Sequence, residues 1–326
     1  MRARASSSRT KLRTALKALL GVLIVTVLLW RVNLQAIGLA LASYSWPWLL
    51  AALLVISASW PVAAARWALL IRKVQFLHIL DLTMIGQFYS IVFPGQVAGE
   101  FVKAYRLGKG NIDAERLAAT VLLDRILGLI ALLLVASVGL LLSKQRVPDT
   151  ISFVFAGLTV VLICSLLALR LGAVHKLAIS MIARLQHTRL REYALSVRRA
   201  VDAWRGFTEI PLRLAASFFL GVLFQMLGVA MLAILAANLG ILLALADWAW
   251  IAGVVSLAVL LPVSVGGIGL REGALVGCLG FLGVAPERAL ALSFGVFALT
   301  LVGALTGGML EMIEVVRKRP SSMVQR

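Results

Sequence analysis

The sequence predicts an all-α polytopic membrane protein with about six full transmembrane helices and two re-entrant helical hairpins arranged as an inverted repeat. Three observations carry this. The 326-residue chain is 61% hydrophobic, well above the roughly 45–50% of a soluble domain. That excess falls in blocks of about 20 residues, enough to cross a hydrocarbon core about 30 Å thick. The Lys and Arg residues gather between blocks in a one-sided pattern, and two blocks are broken by Pro and Gly in matching places.

The chain opens on a cytoplasmic basic N-terminus, residues 1–17, followed by an apolar run from Ala18 to Trp30. Arg31, Val32 and Asn33 follow, with no small-x-small cleavage site, so the run is expected to stay as a first transmembrane helix. Crossing segments are expected at 16–31, 46–71, 118–142, 150–169, 213–237 and 288–312. The broken segments run from 79 to 102, around Phe93-Pro94-Gly95, and from 248 to 283, around Pro262 and Gly266-Gly267-Ile268-Gly269.

Positive charge orients these segments. With both termini cytoplasmic, 26 of the 32 Lys and Arg fall on the inner side. Four lie outside (Arg31, Lys144, Arg146, Arg288), and Arg125 and Arg271 lie within the membrane. Arg66 belongs to the inner end of the second helix on this count. Each broken segment then has to return to the side it left. Two readings stand: re-entrant hairpins, or ordinary helices kinked by Pro and Gly, which membrane helices tolerate. Plain crossings would break the charge rule twice, which favours hairpins. Residues 46–142 and 213–312 then form units of the same plan and opposite orientation, an arrangement that points to a midplane substrate site and alternating access. Residues 170–212 form a basic amphipathic arm, either lying in the headgroup plane or packed on the bundle.

The hairpins hold the candidate chemistry. In the first, Pro94, Gly95 and Gly99 break the helix and let it restart, and Glu100 and Lys103 follow. In the second, Pro262, Ser264, Gly266, Gly267 and Gly269 precede Arg271 and Glu272. Helix N-termini at such turns attract phosphate or carboxylate. Ionisable residues at membrane depth are costly and mark function, which singles out Glu100, Lys103, Asp124, Arg125, Arg271 and Glu272. Asp124 and Arg125 are adjacent on a helix, point about 100° apart and need not pair with each other. Two roles stand for these acids and bases, and both can hold: neutralising one another to lock helices, or forming, with Ser264, a cationic pocket for an anionic lipid headgroup in which the acids hold the arginines. Glu311 and Glu314 are expected at the interface, and His78 and Asp81, which open the first hairpin, as caps or interfacial groups.

Other classes are excluded. The net charge of +18 would suggest nucleic acid in a soluble protein. Here it marks inner loops and the anionic lipid surface, and no nucleic-acid partner is expected. Cys164 and Cys278 sit in apolar runs, are expected as core residues, and suggest neither disulfide nor metal. No metal-ligand spacing, nucleophile elbow or phosphate loop appears. No catalytic residue and no cofactor are expected.

The residues Phe93-Pro94-Gly95 through Gly99-Glu100 with Lys103 and Arg106, then Asp124-Arg125, resemble the membrane domain of lysylphosphatidylglycerol synthase and its stand-alone flippase-like relatives. Leu261-Pro262-x-Ser264 and Gly266-Gly267-Ile268-Gly269-x-Arg271-Glu272-Gly273 match as well, and the resemblance covers roughly residues 15–315. It implies movement of an anionic or aminoacylated phospholipid, or of a lipid-linked sugar, across the cytoplasmic membrane. The soluble domain with which the full synthase transfers an amino acid from charged tRNA has no counterpart here, so synthase activity is not implied. The expected partner is a membrane phospholipid or lipid-linked substrate. A lipid-modifying enzyme and a second copy of the chain, forming a homodimer, are further candidates. Two other functions stay open: an integral membrane transferase acting on a lipid phosphate, and a scaffold for a synthase.

Overall fold

The computed structural model describes residues 34–71, 74–92, 98–108, 114–145, 147–170, 180, 211–261 and 267–317. Among them there are ten helices and no strand. They are α1 (Leu34–Ala42), α2 (Trp46–Leu70), α3 (Phe76–Val92), α4 (Ala98–Gly108), α5 (Ala114–Leu142), α6 (Asp149–Arg170), α7 (Pro211–Asn238), α8 (Leu245–Leu260), α9 (Leu270–Phe281) and α10 (Pro286–Arg317). The start of α2 follows from its residues. Ser45 is extended and Pro47 sits in the first turn, where its missing N–H has no intrahelical partner to lose.

Four helices are long and apolar enough to cross a membrane: Trp46–Leu70, Leu117–Leu142, Pro211–Asn238 and Pro286–Val316. These are four of the six expected crossings. The expected crossing 16–31, the N-terminus 1–17 and nearly all of the arm 170–212 lie outside the described residues. Helix α6, 22 residues long, covers the expected segment 150–169.

The bundle's outer surface is apolar. Leu54 on α2, Leu141 on α5, Phe219 on α7 and Met309 on α10 are all exposed. In water such surface would cost about 25 cal/mol per Å²; against lipid tails it costs little. This is a membrane protein. Inside, Trp248, Trp250, Leu235, Leu275 and Leu279 centre one core between α7, α8 and α9. Trp67, Ile79, Leu82 and Leu107 centre a second between α2, α3 and α4.

Both broken segments consist of paired short helices. Helices α3 and α4 have 17 and 11 residues, and α8 and α9 have 16 and 12. At 1.5 Å per residue the longest is roughly 26 Å, short of the hydrocarbon core. The chain doubles back between α3 and α4, because Gly99 lies against both Ser90 and Gly86, and Lys103 lies against Gly86. Residues 93–97 and 262–266, and with them Pro94, Gly95, Pro262, Ser264 and Gly266, lie outside the described residues. Gly267 and Gly269 are described, with φ of +76° and +86°. Only glycine adopts such angles readily, which is why this turn into α9 is glycine-rich.

The helices pack in a paired pattern. Helix α2 lies along α7. Helix α3 packs on α10, and α8 packs on α5. Helix α4 rests on α5, and α9 rests on α10. Small residues bring the backbones close, as membrane helices require when apolar burial gives no drive for association. A Cβ on Gly307 would come 2.0 Å from the Met84 carbonyl oxygen, and one on Gly139 would come 2.6 Å from that of Ala246.

Candidate functional site

The first charged cluster lies where α4 meets α2 and α5. Arg66, on α2, forks onto Asp124 of α5, with Nε 2.7 Å from Oδ1 and Nη2 2.8 Å from Oδ2. Two parallel bonds of this kind fix geometry as well as charge. The guanidinium has room because its neighbours are small: a Cβ on Gly128 would lie 3.2 Å from Nη1. Its Cζ lies 5.7 Å from the centre of the Phe224 ring.

Glu100 stands in the first turn of α4. There the helix dipole favours a carboxylate. Its Oε1 takes two cations, Lys103 Nζ at 2.7 Å and Arg125 Nη2 at 3.2 Å. Lys103 is buried and lies 4.9 Å from the centre of the Trp67 ring. These five side chains carry three positive charges and two negative ones. Arg125 is the most exposed of them, at 36%. Arg66 lies within the span Trp46–Leu70, and Asp124 and Arg125 lie within Leu117–Leu142.

The second cluster opens α9. Glu272 accepts a hydrogen bond from the amide of Gly269 at 2.6 Å through Oε2, capping the helix. Its Oε1 accepts from Arg271 Nη2 at 2.8 Å and from Ser293 Oγ at 2.9 Å. Arg271 Nε also donates to Ser293 Oγ at 3.1 Å, and the guanidinium stacks near Phe297. This cluster is buried and balanced, one charge against one.

The family model described as the lysylphosphatidylglycerol synthase transmembrane region matches residues 15–308, nearly the whole chain. The chain belongs to this family. Membership points to a membrane protein of lipid metabolism or transport. A comparison with curated proteins finds no match.

Within this lysylphosphatidylglycerol synthase-type membrane domain, the structure brings Glu100, Lys103, Asp124 and Arg125 together as one cluster and Arg271 and Glu272 as another. Asp124 and Arg125 take different partners on different helices, as their angular separation requires. Gly99 fits against α3, and Gly267 and Gly269 form the turn into α9. Sequence reasoning passed over Arg66 by assigning it to an interfacial helix end. Its signal was a lone charge inside an apolar helix. Glu311 and Glu314 have a partner that the sequence did not show. Both pair with Arg106 of α4, Glu314 Oε2 at 2.6 Å from Nη1, and Tyr89 Oη donates to Glu311 at 3.2 Å. Cys278 is buried as expected, whereas Cys164 is exposed rather than in the core.

The Arg106 pairs tie the short helix α4 to the end of α10. A double-mutant cycle on Arg106→Ala and Glu311→Ala, read by unfolding in detergent, is expected to give a coupling on the order of 1 kcal/mol. Additive effects would show that the tie contributes nothing.

Proposed function

We propose that this protein is a lipid translocase, a transporter and not an enzyme. It moves the headgroup of an anionic or aminoacylated phospholipid, or of a lipid-linked sugar, through the bundle while the acyl chains stay in the bilayer. The observation that carries this reading is the cluster at α4: three cations against two carboxylates, set inside membrane-spanning helices beside the start of a short helix. Cations at membrane depth are costly and mark substrate paths, and a lipid phosphate is a chemical match for such a group. Arg125, the most exposed of the five, meets the phosphate. Arg271 acts as a positioning residue that steadies α9 through Glu272 and Ser293.

The paired packing supports alternation between two inverted units, 46–142 and 213–312. Exchanging α2, α3, α4 and α5 for α7, α8, α9 and α10 turns the α3–α10 contact into the α8–α5 contact, and the α4–α5 contact into the α9–α10 contact. The two short-helix pairs then act as re-entrant hairpins around the site. The charge distribution supports cytoplasmic termini and insertion in the cytoplasmic membrane.

The test is transfer of labelled phospholipids by purified protein in liposomes. Arg125→Ala is expected to slow anionic-lipid transfer about ten- to a hundredfold, the loss of one charge-assisted hydrogen bond. Arg271→Ala strips buried Glu272 of its cation and is expected to lower both stability and transfer. Normal transfer by a well-folded Arg125→Ala protein would remove the α4 cluster from the pathway.

A further inference from the structure

The two units share a register over their second halves. Helices α4 and α9 begin at Ala98 and Leu270, and α5 and α10 begin at Ala114 and Pro286, 172 residues apart in both cases. That spacing sets Glu100 on Glu272, each the third residue of its helix and each paired with a cation. Beyond this point the units differ. The inward face of α9 is Leu275, Cys278 and Leu279, three buried residues one helical turn apart that pack in the apolar core. The same three positions of α4 are Lys103, Arg106 and Leu107. Arg106 stands in the last turn of α4 and pairs with Glu311 and Glu314 of α10. These three side chains are partly exposed, at 21%, 17% and 28%. The positions of α5 that match Glu311 and Glu314 are Gly139 and Leu142, which carry no charge.

We propose that Arg106, Glu311 and Glu314 form a releasable latch, carried by one unit of the repeat only, that holds the far end of α4 on α10 and makes α4 the moving element of the pair α4 and α9. This rests on the translocase reading and adds to it which half moves. Partly exposed ion pairs contribute little each and give way to water and salt. The far end of α9 is held instead by apolar packing, which is lost only when many small contacts part together. The near end of α4 supplies a pivot. Gly99 seats the helix on the Gly86 carbonyl and on Ser90 with no room for a side chain. Lys103 follows Gly99 by one turn, lies against Gly86, and is buried beside the Trp67 ring. When the latch opens, the far end of α4 swings about Gly99 and carries Lys103 away from Trp67. The latch thereby controls whether this buried cation meets a headgroup that has reached Arg125.

The experiment is pulsed electron paramagnetic resonance on the full-length protein in phosphatidylcholine nanodiscs, on a Cys164→Ser, Cys278→Ala background. One pair of spin labels sits at Gly108→Cys on α4 and Met312→Cys on α10. The matched pair sits at Gly280→Cys on α9 and Leu141→Cys on α5. A Cβ at Gly108 would meet only Leu117, at 3.8 Å, and one at Gly280 meets nothing within 4 Å. Met312 and Leu141 are exposed. At low salt the α4 pair is expected to show one main short distance. At about 1 M salt, where screening acts within about 3 Å, a longer population is expected to grow. Arg106→Gln is expected to raise that longer population about fivefold at low salt and to remove its salt response. Arg106→Lys, which keeps the charge, is expected to fall between. The α9 pair is expected to hold one distance throughout. Should Arg106→Gln fail to fold, the salt series with Arg106 in place decides alone. An α4 distance that stays single and unchanged across salt and variants overturns the latch, and equal movement of the α9 pair overturns its confinement to one unit. A latch that opens as expected in a protein that transfers no lipid in liposomes overturns the translocase reading and leaves the latch standing.

Discussion

Arg66→Ala is expected to destabilise the protein by about 3–5 kcal/mol, the usual effect of stripping one partner from a buried ion pair. The Arg66 and Asp124 side chains are 12% and 8% exposed. Removing the guanidinium leaves the Asp124 carboxylate without its bidentate partner inside a membrane-spanning helix. Asp124→Ala is expected to do comparable harm, since it strands the cation instead. A double replacement by apolar residues of similar volume, Arg66→Met with Asp124→Leu, is expected to recover most of the loss, because it removes both charges together. Unfolding in detergent of the two single variants and the double variant checks this. A single variant as stable as wild type would mean that water already reaches the pair.

Gly99→Ala is expected to have the second large effect. The added Cβ would stand 2.2 Å from the Gly86 carbonyl oxygen and 2.4 Å from Ser90 Oγ. The first neighbour is backbone and cannot rotate away, so α4 must move off α3. Overpacking of this sort costs about 1–3 kcal/mol. The displacement also carries Glu100, the next residue, away from Arg125. Lipid transfer should therefore fall much further than stability does. Gly228→Ala is the matching control, because nothing lies within 4 Å of its added Cβ. It is expected to be neutral or slightly stabilising, as alanine is the better helix former. Equal transfer by the Gly99→Ala and Gly228→Ala proteins would show that the seating of α4 on α3 does not matter for transport.

The membrane class and the long helices were legible because hydropathy is local. A run such as Trp46–Leu70 declares itself without any knowledge of its neighbours. The short-helix pairs were legible for a related reason. Glycine acts on its own backbone, so the glycines at 267 and 269 mark the turn into α9 from sequence alone. The independence of Asp124 and Arg125 followed from helix geometry. What sequence could not give was the partner of each charge. Arg66 meets Asp124 across 58 positions of chain, and Arg106 meets Glu311 across 205. Such pairings are set by which helices pack together. Exposure was hidden for the same reason. Arg125 and Arg271 read alike in sequence, yet Arg271 is enclosed by Glu272, Ser293 and Phe297 whereas Arg125 lies partly open. Cys164 illustrates the limit from the other side: an apolar run tells that a residue is in the membrane, not whether it faces protein or lipid.

The translocase reading meets its most direct test in liposomes made with and without the wild-type protein, each carrying a labelled phospholipid in one leaflet. The predicted result is rapid transfer of phosphatidylglycerol between leaflets, far faster than transfer of phosphatidylcholine, only in the vesicles that contain the protein. Folded, inserted protein that moves no lipid of any headgroup would contradict it, and would turn attention to lipid-phosphate transfer or to a partner synthase.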